Sequence, residues 1–220
     1  MIIKVCGMRD PENMLQVAGL DIQWMGFIFY AGSDRRFVAP DDPLAGEKER
    51  TLTDCLPSVN PRLKKAGVFV DASLEEMMRT AARYGLDYLQ LHGGESPDTC
   101  YALQKRGFAL IKAFPVATAE DLERTTAYHG RADYFLFDTK CAGYGGSGRS
   151  FDWTILSAYK GETPFLLSGG LHPGSIGAIR RFHHPRLAGI DLNSGFELEK
   201  GIKNVPELSG FIHKLQHEKI

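Results

Sequence analysis

Short apolar runs recur eight times along this chain, and the stretches between them carry their apolar residues at helical spacing. The runs begin at Ile2, Met25, Ala66, Tyr88, Ala109, Tyr134, Pro164 and Gly189. Each is nearly continuous, as expected of strands covered on both faces by crossover helices in a parallel sheet. Eight such units favour a sheet closed on itself. The pattern therefore predicts an α/β fold, a single-domain (β/α)8 TIM barrel of eight parallel strands over residues 1–220. An open doubly wound sheet is the alternative, yet its GxGxxG fingerprint is missing from Cys6-Gly7-Met8-Arg9-Asp10.

Polar punctuation supports the same alternation. Asp10-Pro11-Glu12 starts a helix with proline in its first turn. Ser73 with Glu76 fits a capping box, and further helices are expected from Ser96, from Thr118, over about 173–182 and over about 205–215. The second helix is the ill-defined one, because Pro43, Gly46 and Thr51 interrupt its pattern.

Composition narrows the class of ligand. A net charge of −1 with interspersed signs argues against a nucleic-acid surface, which needs clustered Lys and Arg. No apolar run approaches the length of a membrane span, and the N-terminus, with Lys4 inside its first run, lacks a signal-peptide pattern. Cys6, Cys55, Cys100 and Cys141 show neither CxxC spacing nor disulfide-scaffold density, so reduced thiols in the cytoplasm are expected. A small molecule is the expected partner, with no nucleic acid and no membrane.

In a barrel the C-terminal strand ends form the active rim, which collects Cys6, His92, Asp138, Ser168 and Asp191 from distant parts of the chain. Lys4 and Cys6 share a strand face, as do Gln90 and His92, and Lys4 is placed to pair with Asp191 where the last strand closes on the first. Cys6 is a candidate general base if its surroundings lower the thiol pKa; otherwise it is inert packing. Asp138 ends an apolar strand, where an acid can hold a proton for donation, or act as a cap. The glycine-rich loop with Gly146, Ser147 and Gly148, together with Ser168-Gly169-Gly170 and Ser194-Gly195, offers backbone N–H groups to an anion. Arg35 and Arg36 can each hold a carboxylate. His92 is assigned ligand orientation without proton transfer, and no spacing suggests a metal site.

Taken in order, Lys4-Val5-Cys6-Gly7, Gln90-Leu91-His92-Gly93, Leu136-Phe137-Asp138-Thr139, Gly145-Gly146-Ser147-Gly148 with Phe151-Asp152-Trp153, Leu167-Ser168-Gly169-Gly170-Leu171 and Asp191-Leu192-Asn193-Ser194-Gly195-Phe196-Glu197 resemble phosphoribosylanthranilate isomerase over nearly the whole chain. The resemblance implies the Amadori rearrangement of N-(5-phosphoribosyl)anthranilate to 1-(2-carboxyphenylamino)-1-deoxyribulose 5-phosphate in tryptophan biosynthesis, without cofactor or metal. It implies Cys6 as general base and Asp138 as general acid. Arg36 is chosen for the anthranilate carboxylate because it precedes Phe37-Val38-Ala39-Pro40, with Arg35 as the alternative. The implied substrate-binding set also includes Gln90, His92, Gly146, Ser147, Gly148, Ser168, Gly169, Gly170, Asp191, Asn193, Ser194 and Gly195. A rival barrel isomerase of the histidine pathway resembles a pair of aspartates at strand ends one and five, where this chain has Cys6 and Ala113 or Phe114. A non-catalytic sugar-phosphate-binding barrel is the alternative from another class.

Overall fold

The structure is a computed structural model that describes residues 1–37, 59–139 and 152–217. Eight parallel strands close into a barrel in sequence order: β1 (Ile2–Val5), β2 (Trp24–Ile28), β3 (Lys64–Phe69), β4 (Tyr88–Leu91), β5 (Ala109–Val116), β6 (Tyr134–Thr139), β7 (Phe165–Leu167) and β8 (Leu187–Leu192). Closure is made by β1 against β8, in a register that sets Lys4 opposite Asp191.

Strand alternation sorts the side chains. Ile3, Val5, Phe27, Phe69, Phe135 and Phe137 face outward into the main apolar core under the helices. Trp24, Ala66, Ile111, Ala113, Leu136 and Leu166 fill the barrel interior. The lower interior is an aromatic plug, with Trp24 stacked on Tyr88 at 4.5 Å and edge-on to Tyr134 at 5.0 Å between ring centroids. The upper interior is left to polar groups, which is where a site can form.

The helices follow their caps. Helix α1 (Pro11–Ala18) starts at Asp10, whose side chain accepts from the Asn13 N–H at 2.8 Å. Helix α2 (Leu74–Tyr84) starts at Ser73, which accepts from Glu76 N–H, and ends at Gly85 in the left-handed region. Helix α3 (Pro97–Gln104) starts at Ser96. Two sequence expectations are corrected here. The helix expected from Thr118 is a 3-10 helix, Ala119–Tyr128. The one expected over 173–182 is split into a 3-10 turn, Pro173–Ser175, and helix α4 (Ile176–Arg181), because His172 and Ser175 exchange local hydrogen bonds that tighten the first turn. Helix α5 (Val205–His217) extends as expected. A short hairpin of β9 (Glu197–Glu199) and β10 (Ile202–Lys203) was not anticipated; it turns at Gly201, whose φ is +86°. The second helix lies outside the described residues, as do Cys55, Cys141 and the glycine-rich loop with Gly146, Ser147 and Gly148.

The seam makes a specific demand on glycine. A Cβ at Gly189 would overlap the Ile2 carbonyl and lie 2.6 Å from Ile2 Cβ, whereas a Cβ at Gly210, on α5, would meet nothing within 4 Å. Gly189→Ala is expected to destabilise the barrel by about 1–3 kcal/mol through backbone displacement. Gly210→Ala is expected to stabilise it by about 0.5–1 kcal/mol through helix propensity. Urea denaturation of the two variants checks the opposite signs.

Candidate active site

The first polar cluster is built around Cys6, at the end of β1. Its Sγ and Lys4 Nζ share the space above Gly26, where an added Cβ would lie 2.6 Å from the sulfur and 3.1 Å from the ammonium. Lys4 is wholly buried, and its Nζ donates to Asp191 Oδ1 at 2.9 Å, the pair expected from strand closure. Burial alone would disfavour the Lys4 ammonium, but Asp191 and Cys6 more than offset it and raise its pKa. Asp191 is also raised, by burial first, with Lys4 opposing and Asp138 adding to the rise. The requirement for a depressed thiol pKa is not met in the resting protein. Burial pushes the Cys6 thiol up, and Lys4, chief among the groups that oppose it, does not bring it back.

Beside this cluster lies a second one that the sequence reading missed. Lys203 Nζ, buried, donates to Glu197 Oε1 at 2.6 Å and to Asn193 Oδ1 at 2.8 Å. Glu197 in turn receives Arg35 through Nε at 2.9 Å and Nη2 at 2.7 Å. Burial opposes ionisation of Glu197, yet Arg35 and Lys203 together hold its carboxyl below the usual range. The only sequence signal for Lys203 is a lone lysine after Gly201-Ile202, which reads as an ordinary lead into a helix.

The opposite part of the rim carries the acid. Asp138, near the end of β6, accepts from Thr139 N–H at 2.8 Å through Oδ1, and its Oδ2 stands 3.5 Å from His92 Nε2. Gln90 lies buried behind His92, 2.9 Å from Nδ1, so it is placed to act through the imidazole. With the amide nitrogen donating to Nδ1, the ring proton faces Asp138. Gly169 has φ +81° and abuts this group; a Cβ there would sit 2.8 Å from Asp138 Oδ1 and 2.6 Å from Thr139 N.

The remaining rim residues form a backbone-rich edge. Ser168 N–H donates to Phe137 O, and Gly169 and Gly170 both have positive φ. The turn Ser194–Phe196 follows β8, and Gly195 packs so tightly on the Leu171 carbonyl that a Cβ would overlap it, which brings the loops after β7 and β8 together. Arg36 makes the bridge to Ile28 that extends β2, and Arg35 is occupied by Glu197. Among the described residues, no group of three or more His, Cys, Asp or Glu side chains is arranged to hold a metal ion, and no helix is long and apolar enough to cross a membrane.

Residues 3–214 match the family model described as N-(5'phosphoribosyl)anthranilate (PRA) isomerase. The chain is 59% identical over 219 residues to the N-(5'-phosphoribosyl)anthranilate isomerase of Parabacteroides distasonis, covering 99% of this chain and 94% of that one. The phosphoribosyl anthranilate isomerase of Thermus thermophilus superposes with a TM-score of 0.81 at 27% identity, covering 98% of each chain. A further isomerase structure, solved in complex with reduced 1-(o-carboxyphenylamino)-1-deoxyribulose 5-phosphate, superposes with a TM-score of 0.78 at 26% identity, covering 99% of this chain and 100% of that one.

Glu197 sets a pH dependence of known sign. Its depressed carboxyl contributes stability that is complete above the unfolded value of about 4.3 and is lost as pH falls through the folded value. Urea midpoints taken between about pH 7 and about pH 3 should show the stability gap between the parent and Glu197→Gln narrowing on acidification. A gap independent of pH would contradict the assignment.

Proposed function

This chain belongs to the N-(5'-phosphoribosyl)anthranilate isomerase family, enzymes of tryptophan biosynthesis, and from that premise we propose that it works by general acid–base catalysis with Cys6 as base and Asp138 as acid. The observation that carries this reading is the placement of a buried thiol beside Lys4 and of a carboxyl against His92 on one barrel rim. The isomerase converts N-(5-phosphoribosyl)anthranilate to 1-(2-carboxyphenylamino)-1-deoxyribulose 5-phosphate.

The proposed sequence of steps follows from those two groups. Asp138 gives its proton to the furanose oxygen as the C1–O bond breaks, and the aniline nitrogen lone pair forms the protonated Schiff base. Cys6, as thiolate, removes the C2 proton; the freed pair makes the C1–C2 double bond and neutralises the nitrogen. The resulting enolamine loses its enol proton and gains one at C1, which gives the ketone. No external electron acceptor enters this balance, so no cofactor is required by the chemistry.

Arg36 is proposed to take the anthranilate carboxylate, since the Arg35 fork already holds Glu197. The backbone of Ser168-Gly169-Gly170 and Ser194-Gly195 is proposed to take the phosphate, together with Gly146, Ser147 and Gly148, while Asn193 and Asp191 order the sugar. We read residues 1–220 as one catalytic domain acting on a small phosphoribosyl substrate in the cytoplasm, where the free thiols Cys6 and Cys100 stay reduced.

Turnover of freshly generated phosphoribosylanthranilate tests the whole reading. Cys6→Ser and Asp138→Asn are each expected to fold, bind a product analogue, and lose about 10²-fold or more in kcat. Near-normal turnover in either would remove that residue from the mechanism. Arg36→Ala is expected to raise KM more than Arg35→Ala does, by about tenfold, for the loss of one charge-assisted contact; equal KM values would reject the assignment.

A further inference from the structure

Lys203 is held more firmly than a helix-leading lysine needs to be. Its backbone N–H donates to Asn13 Oδ1 at 2.8 Å, and its carbonyl accepts from Asn13 Nδ2 at 2.9 Å, so α1 fixes the strand on both sides. Its ammonium is then fixed between Glu197 and Asn193. Asn193 Oδ1 lies directly over Gly7, the residue after Cys6, where an added Cβ would come within 2.6 Å of it. The Cys6 N–H donates to Leu192 O at 2.8 Å, which locks the same β1–β8 corner. The ammonium on this corner is near enough to Cys6 for the two to interact electrostatically.

The charges at the corner do not balance. Arg35, Lys203 and Lys4 supply three cations, against the two carboxylates of Glu197 and Asp191. On the far side His92 and Asp138 face Asp191 and lie against each other, with His92 Nε2 3.5 Å from Asp138 Oδ2. At the hairpin the exposed Lys200 pairs with Asp34, and Arg9 contacts the Asp34 carbonyl at the surface. Within the corner itself the cations outnumber the carboxylates by one. Uncompensated buried charge is costly, so the group that can supply the missing negative charge is favoured to ionise.

We infer that Lys203 is a positioning residue for catalysis, making the thiolate of Cys6 the counter-charge of a buried cationic corner. The inference rests on the reading of Cys6 as the base. Burial pushes the Cys6 thiol up and dominates in the resting protein, Lys4 draws it down most strongly, Asp191 pushes it up, and Lys203 draws it down, the sign a positioning cation requires. Lys203 thus governs how much thiolate is present at a given pH, whereas a structural role would leave thiol titration unchanged.

Two variants with opposite signs test this. Lys203→Met removes the cation and is expected to move the Cys6 titration alkaline by about one to three pH units, lowering thiolate at neutral pH at least tenfold. Glu197→Gln deletes a negative charge from the same corner and is expected to move the titration toward acid. The titration is read by ultraviolet thiolate absorbance, in a background with Cys55, Cys100 and Cys141 replaced by Ala. The limb of kcat/KM that rises with pH as the base loses its proton is measured in parallel, with the deuterium isotope effect at the substrate C2. Opposite shifts in the titration support the inference; unmoved shifts, or shifts of the same sign, overturn it. If Lys203→Met fails to fold, Glu197→Gln decides alone, and a titration that stays or moves alkaline overturns the proposal. A titration that shifts while the rate limb and isotope effect do not would uphold Lys203's effect on the thiol and reject Cys6 as the base.

Discussion

A charge taken into a protein interior must be matched there, and this constraint organises the upper half of the barrel. Lys4 enters the interior on β1, and the register of strand closure brings Asp191 to it at 2.9 Å. Removing one member of such a pair typically costs about 3–5 kcal/mol, because the survivor is left buried and alone. The pair therefore ties closure of the barrel to the place where Cys6 emerges, two residues along the same strand face. Lys203, Glu197 and Arg35 extend the matching outward, joining the β9–β10 hairpin to the loop after β2.

A second buried ion pair shows what a structural network looks like in the same fold. Lys112 Nζ donates to Glu95 Oε2 at 2.9 Å and to the carbonyls of Leu91 and Gly93, while Glu95 accepts from the N–H groups of Asp71 and Gly93. One cation meets one carboxylate, and the remaining hydrogen bonds of the pair are to backbone groups that fix the loops after β3 and β4. The corner around Cys6 differs because three cations, Lys4, Lys203 and Arg35, meet two carboxylates, Asp191 and Glu197. The two networks use the same residue types, and the balance of charge separates their roles.

Glycine shapes the Asp138 side of the rim as lysine shapes the Cys6 side. At Gly169 a side chain would strike Thr139 and the Asp138 carboxylate, and the backbone adopts a φ of +81° that other residues rarely take. The loop after β7 can therefore lie directly against the acid. Gly195 does the same against Leu171, which draws the loops after β7 and β8 into one edge. The acid, its imidazole neighbour and the backbone donors are thus brought together by close approach of main chain, without long side chains.

Much of this was legible in the chain itself, because strand alternation and barrel closure act through neighbours a fixed distance apart. The apolar runs placed the starts of all eight strands to within two residues, period-two alternation put Lys4 with Cys6 and Gln90 with His92, and closure paired Lys4 with Asp191. Caps at Asp10, Ser73 and Ser96 placed three helix starts. What the sequence could not reveal depends on contacts between segments remote in the chain. The sequence prefers Arg36 to Arg35 only by the residues that follow it, and the ion pair of Arg35 with Glu197, 162 residues away, is visible only in the folded chain. Lys203 looks like a surface lysine until Asn13 and Asn193, from either end of the chain, hold it in the buried corner near Cys6. The direction of the thiol's shift is left open by the sequence for the same reason. Residue type says that cations can lower it, but only the tertiary structure decides how completely the sulfur is withdrawn from water, and here burial outweighs the cations.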